Sequence, residues 1–395
     1  MLSTIKALEP LLEPQERLDR LIAAAFRRFG PRLVDLSYAN PYEGATEEVM
    51  QVLRRVTAER KGLSLQYTPY AGRMATRRAI AAELEQEYAL PFRFQDVVMT
   101  SGGMAGLNVV SRALFGPADE VIVLTPCWQD YPLYLRNLNI PSRLVPLQRD
   151  KRLDLSAISR AIGPATRGLL FSHPCCPTGR VYSKDEIDGL SGILEQAQAT
   201  FGTNIYLVSD EVHRHLVWSG DTFVSPLARY PRSVMIYSFG KALALQGQRI
   251  GYVAVSPQVP GREDLSTDLE RCVRMMGFGS PTSLMQHAVC DLVDYRPSTE
   301  ALSRKQAQVR GALTSYGYEV CDGGATFYVY VKSPLADDFA FAELLASHGV
   351  LVVPSTLFHD PGYVRLSLTA RAESIASALP IFGAVLNDVS TACHA

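Results

Sequence analysis

Lys241 closes the tetrapeptide Ser238-Phe239-Gly240-Lys241, directly after the apolar run Val234–Tyr237 and eight residues ahead of Arg249. A lysine held where buried strand ends converge loses solvation and feels neighbouring cations. Both effects lower its pKa and make its amine available as a nucleophile or a Schiff-base former. The choice is narrow, because only seven of the 39 basic residues are lysine: Lys6, Lys61, Lys151, Lys184, Lys241, Lys305 and Lys332. The ordinary alternative for any of them is a solvated surface lysine.

Four other segments have the right chemistry at comparable places. Asp210 ends the run Ile205–Asp210, where it is either a turn or cap aspartate or a carboxylate able to hold a ring nitrogen protonated. Ser101-Gly102-Gly103-Met104 opens a helical stretch after Asp96–Thr100; free N–H groups at such a start form an anion site, and simple strand-to-helix turns look the same. It is not a dinucleotide fingerprint, since G-x-G-x-x-G is absent. Trp128 follows Thr125-Pro126-Cys127 and is either core or a stacking surface for a planar ligand. His173-Pro174-Cys175-Cys176-Pro177-Thr178-Gly179 is a rigid turn by its prolines and glycine.

The elements that must position these residues alternate. Helical patterns are predicted over residues 15–29, 46–60, 72–88, 104–114, 128–138, 154–162 and 183–201. Short apolar runs between them predict strands over 96–100, 120–124, 167–171, 205–208, 234–237 and 250–255, and 142–146 reads as extended. Near-continuous apolar strands separated by helices indicate an α/β fold with a mostly parallel sheet covered on both faces. After Pro260 the pattern becomes helical to about residue 315. Strand-like segments over 326–332, 350–353 and 364–368 and helices over 339–348 and from 373 then predict a smaller α+β domain. The expected division is a large domain over 45–260, with 1–44 and 261–395 forming an N-terminal arm plus the small domain. In such a sheet, ligands bind outside the carboxyl ends of the strands, which is where the five segments fall.

Composition excludes other classes. With 39 basic and 40 acidic side chains the formal net charge is −1, so no global field attracts nucleic acid or an anionic membrane. Hydrophobic content of 47% and charged content of 20% are those of a globular protein. No apolar run approaches the roughly 18 residues of a membrane span. The charged N-terminus does not read as a secretory signal. The seven cysteines form no C-x-x-C pair and read as reduced thiols of a cytoplasmic protein, with no metal site.

Taken together, the SFGK lysine, the RIGY arginine, the SDE aspartate and the PTG turn resemble the class I/II aminotransferases from about Asp35 to the C-terminus. These are fold type I, aspartate-aminotransferase-like enzymes that use pyridoxal 5′-phosphate. The resemblance implies that Lys241 holds the cofactor and moves the substrate's α-proton, and that Asp210 partners the pyridine nitrogen. It implies that Ser238, Arg249, Gly103 and Met104 bind the phosphate and that Trp128 stacks on the ring. Tyr67, in QYTPYAG, matches the tyrosine that reaches the neighbouring subunit's phosphate, which implies a homodimer with shared active sites. Arg365, in YVRLSL, matches the arginine that pairs with the substrate α-carboxylate.

Three positions depart from the family's pattern. Cys176 and His213 stand where an asparagine and a tyrosine usually contact the cofactor's phenolic oxygen, and Ala39 replaces a glycine near the substrate carboxylate. Cysteine is a weak donor, and His213 is either a substitute donor or an acid–base group titrating in the working pH range. Three functions follow. One is amino transfer between an L-amino acid and a 2-oxo acid. Another is a non-transaminase reaction, such as elimination, replacement or cyclisation of an S-adenosylmethionine-like substrate. The last is a regulatory protein on the same fold, disfavoured because only 34 residues precede Asp35 and Lys241 is retained.

Overall fold

The computed structural model describes residues 3–42, 44–59, 62–218, 220 and 222–394. Twelve strands occur among them. They are β1 (Val34–Asp35), β2 (Val97–Thr100), β3 (Glu120–Thr125), β4 (Ser142–Pro146), β5 (Thr166–Ser172), β6 (Tyr206–Asp210), β7 (Ser233–Ser238), β8 (Gly251–Val255), β9 (Tyr328–Lys332), β10 (Val350–Leu351), β11 (Val353–Pro354) and β12 (Tyr363–Ser367).

Seven of them form one sheet in the order β2-β8-β7-β6-β5-β3-β4. The apolar runs explain this, because strands such as β2, β7 and β8 are buried along their whole length and require cover on both faces. Adjacent strands from β4 to β7 pair in parallel, whereas β8 runs antiparallel to both β7 and β2. The chain passes from β3 outward to β4 and then returns to the other side of β3 for β5. That reversal opens a crevice at the carboxyl edge between β3 and β5, where open α/β sheets bind ligands. Because β8 is antiparallel, its first residues lie at this same edge, which brings Arg249 alongside Ser238.

Helix boundaries follow local chemistry. Ser183 and Glu186 make a reciprocal capping box for Lys184–Phe201, and Gly202 ends that helix in the left-handed conformation. Asp154 accepts the Ala157 N–H at 2.8 Å to start Leu155–Ala161. The helix expected from Trp128 begins instead at Tyr131, so Trp128 sits in the turn before it, at the crevice. The N-terminal helix spans Ser3–Phe29, continuing through Pro10 and Pro14 where a boundary was expected. Leu8, Leu18 and Ala25 on its buried face supply packing that offsets the bonds lost at the prolines.

A second sheet has the order β11-β12-β9 and is antiparallel throughout. The expected strand 350–353 is divided at Val352: β10 pairs with β1, whereas β11 pairs with β12. The parallel pairing Val34↔Val350 ties the N-terminal segment to this half of the molecule and carries Ser37 up to β12. Helices Arg262–Met276 and Ser283–Cys290 lie beyond Pro260, where the change of texture was expected. Leu269 and Val273, and likewise Met285 and Val289, nevertheless join the cores of the seven-stranded sheet, because their apolar stripes face it.

Candidate active site

The carboxyl ends of β5, β6 and β7, the turn after β3 and the first turn of helix Gly103–Leu114 enclose a cavity of about 120 Å³. Lys241, Asp210, Cys176 and His213 line it together with Trp128, Ser238 and Arg249. Gly103 and Met104 supply its wall at the helix start.

Lys241 lies in a four-residue helix, Phe239–Ala242, that begins where β7 stops. Its exposed part faces the cavity. Burial lowers its pKa to about 8, with Arg365 and Arg249 adding to the shift and Asp210 opposing it. Its Nζ stands 5.1 Å from the centre of the Phe327 ring.

Asp210, the last residue of β6, accepts the Tyr131 hydroxyl at 2.7 Å and the Val212 N–H at 3.2 Å. Burial pushes its carboxyl up, and those two donors and Lys241 pull it back. A cationic ring nitrogen facing it would favour the carboxylate further.

Gly102 enters the helix at φ +83°, and a Cβ there would come within 2.8 Å of Arg249 Nη2. Glycine is therefore required for the backbone to lie against the guanidinium. No side chain caps this helix, so its first N–H groups are left for a ligand. Arg249 Nη1 donates to the Gln246 carbonyl at 2.9 Å and Nη2 lies 3.9 Å from Met104 Sδ. Ser238 Oγ is 3.5 Å from the Ile250 carbonyl. Helix start, serine and arginine together make a cradle for a dianion.

Arg365 is buried on β12. One Nη donates to the Ser37 carbonyl at 2.9 Å, while Nε has no protein partner. Its guanidinium lies 4.2 Å from the Tyr328 ring centre and 5.0 Å from that of Phe358. A stacked guanidinium with an unsatisfied N–H can receive a carboxylate.

The Cys176 N–H donates to Ser172 Oγ at 2.8 Å, and burial pushes its thiol up to about 12, so it stays protonated. His213 is packed edge-on against Phe327 and Tyr328, and its Nδ1 has no partner. Burial, reinforced by Lys241 and Arg365, holds its pKa well below 6.5. An acid–base role titrating in the working pH range is therefore not what this environment provides; the imidazole is neutral.

Three expected residues do not line the cavity: Arg365, which stacks on the lining residue Tyr328, and Ala39 and Tyr67. Ala39 packs against the core of the smaller sheet, two residues beyond the Ser37 carbonyl that holds Arg365. Tyr67 is fully exposed and lines no part of its own chain's site. Sequence reasoning missed Tyr131 and Tyr328. Tyr131 stands one helical turn after Trp128, and Tyr328 starts β9; both read as core aromatics without the fold.

A family model for aminotransferase class I and II matches residues 31–379. The chain belongs to that family. The aspartate/prephenate aminotransferase of Thermus thermophilus is 30% identical over 377 residues, covering 92% of this chain and 94% of that protein. A solved aminotransferase from Eubacterium rectale superposes with a TM-score of 0.90 at 27% identity, covering 94% of this chain and 95% of the other. The T. thermophilus aspartate aminotransferase with maleate superposes with a TM-score of 0.84 at 29% identity, covering 93% and 96%. The protein is thus an enzyme of aspartate-aminotransferase-like fold, a transferase dependent on pyridoxal phosphate. The cavity's lining fits that cofactor: a dianion cradle, a buried carboxylate and a lysine of lowered pKa all face one space. Among the described residues no helix is long and apolar enough to cross a membrane.

Proposed function

We propose that the enzyme transfers the α-amino group of an L-amino acid to a 2-oxo acid, with Lys241 holding the cofactor and carrying the proton. The observation that carries this reading is the placement of Lys241 just past β7 in the cavity, where Asp210 and Arg365 both act on its charge and its pKa is brought to about 8. Pyridoxal phosphate, when bound, supplies an electron sink for the pair left on the substrate's Cα. The protein's own groups do the rest. Gly103, Met104, Ser238 and Arg249 would hold the phosphate, Trp128 would cover the ring, and Asp210 would keep the ring nitrogen protonated. Arg365 would receive the α-carboxylate and so aim the Cα–H bond at Lys241, whose neutral amine would accept the proton and carry it within the site.

Borohydride reduction of the holoenzyme followed by peptide mass mapping tests the assignment. A phosphopyridoxyl label on Lys241 is expected, and a label on any other lysine would sink it.

A second reading rests on Cys176 and His213. Both are uncharged here and the Cys176 thiol is a weak donor, so the phenolic oxygen would be held less firmly on that side than by asparagine. Weaker control there favours elimination, replacement or cyclisation of a substrate carrying a leaving group. Product without 2-oxo acid would support it.

We further propose a homodimer with shared active sites. Tyr67 is supported as the shared residue by its full exposure and by Tyr70 and Met74, which follow it in the chain and are about half exposed. The six described cysteines are unpaired, which supports a reducing, cytoplasmic setting.

A further inference from the structure

A second cavity, of about 200 Å³, meets the first at Lys241, the residue that lines both. It lies between Pro41, Gly44 and Thr46 of the N-terminal segment, the residues after Lys241 and the start of helix Glu300–Tyr316. With the first cavity given to the cofactor, a substrate whose amino group is at Lys241 has this second space open to the rest of it. We infer that the second cavity seats the donor's side chain and selects an uncharged, apolar one. This inference rests on the amino-acid-donor reading above and adds the class of donor.

The walls carry the argument. Leu216, Leu243, Leu302, Leu368 and the Phe327 ring line it. Of the polar side chains among them, Gln246 and Ser298 are neutral, and four others are committed to the protein. Thr46 Oγ1 and the Tyr295 hydroxyl bond each other at 3.1 Å, and Thr369 Oγ1 donates to the Tyr38 carbonyl at 2.9 Å. Lys305 Nζ donates to the Ala370 carbonyl at 3.0 Å. Among the described residues no arginine lines the cavity. A second carboxylate placed here would lose its water against apolar walls and find the Lys305 ammonium already engaged, whereas a branched or aromatic side chain gains by burial. Arg365, the arginine on β12, serves one carboxylate only. The cavity continues past Ala244 and Gln246 to the surface, which admits side chains longer than the enclosed volume.

The experiment uses carboxylic acids without an amino group, so that binding is read without turnover. Holoenzyme is titrated with 4-methylpentanoate, 3-phenylpropionate and succinate, following the cofactor's visible absorbance and the melting temperature. The apolar acids are expected to bind at least about tenfold tighter than succinate. Equal or tighter binding of succinate, or no measurable binding of the apolar acids, overturns the inference. If the apolar acids bind in that order but no amino acid converts the cofactor, the amino-transfer reading fails and the cavity's selectivity stands. Ala301→Trp, at the cavity rim on an exposed helical position, then places the preference. It is expected to lower kcat/KM for L-leucine and L-phenylalanine at least about tenfold relative to L-alanine. An equal change for all three donors contradicts the location.

Discussion

Lys241 and Asp210 were legible as residues because each ends an apolar run, and strand ends are where an α/β sheet binds its ligand. What their sequence positions left out is the environment that sets their charge. Tyr131 holds Asp210 Oδ2 at 2.7 Å, and nothing in the order of residues joins positions 79 apart. A hydrogen bond to a charged group is worth roughly 1.5–3 kcal/mol. Tyr131→Phe is therefore expected to lower kcat about tenfold with cofactor still bound, and Asp210→Asn to lower it further. Steady-state kinetics with the cofactor content measured alongside checks this; an unchanged kcat in Tyr131→Phe would remove the tyrosine from the account. The lysine makes a pH prediction. An amine brought from 10.5 to about 8 is neutral at lower pH than ordinary lysine. Capture of pyridoxal phosphate by the apoenzyme should accelerate with pH and level off near 8, and a rate still climbing beyond pH 9.5 would contradict it. His213 shows the limit of reading a residue type alone: its ordinary pKa suggested a titrating group, and burial beside two cations removes that behaviour.

At the scale of elements, the alternation of apolar runs and helices predicted the inner strands of the seven-stranded sheet, because a strand buried on both faces has to be apolar along its length; the edge strand β4 is exposed at four of its five residues and was readable only as an extended segment. The direction of β8 and the division at Val352 were not readable, since both are set by partner strands distant in sequence. The same applies to the helices after Pro260, whose amphipathic pattern shows a buried face without saying which sheet it meets. The segment that follows β6 is fixed by charges the pattern also leaves out. Arg214 pairs with Glu83 at 2.7 Å, and Glu211 accepts the Ser209 and Ser225 hydroxyls at 2.7 and 2.6 Å. Burial pushes the Glu211 carboxyl from 4.5 up to about 7, against the pull of Ser225 and Arg214. A carboxyl raised in the folded state holds its proton more tightly folded than unfolded. Its contribution is thus complete below about pH 4.5 and is lost as pH rises to about 7. The loss is at most roughly 3 kcal/mol. Glu211→Gln should flatten the decline in urea midpoint between pH 5 and pH 7; a decline of unchanged slope would show that other groups cause it.

At the scale of the whole molecule, the site draws on both sheets: Lys241 and Asp210 stand on one, and Arg365 on the other, steadied by Ser37 from the N-terminal segment. Lys151 and Asp360 form a buried ion pair at 2.7 Å between the turn after β4 and the segment before β12, with the Tyr330 hydroxyl 2.8 Å from the same carboxylate. Breaking a buried pair by removing one partner costs about 3–5 kcal/mol. Lys151→Met is therefore expected to lower the melting temperature by several degrees, and an unchanged melting curve would mean the pair is not formed in solution. The dimer makes its own prediction. Mixed dimers of Lys241→Ala and Tyr67→Ala subunits contain one site with both native residues, so mixing two inactive preparations should recover activity. No recovery after demonstrated subunit exchange would contradict shared sites. The most direct test of the central claim is the half-reaction of the purified holoenzyme with an amino-acid donor and no acceptor. The account predicts loss of the cofactor's visible band with one 2-oxo acid formed per site, reversed by adding a 2-oxo acid, and no such change in Lys241→Ala. Consumption of the donor without 2-oxo acid, or full activity in Lys241→Ala, would contradict it.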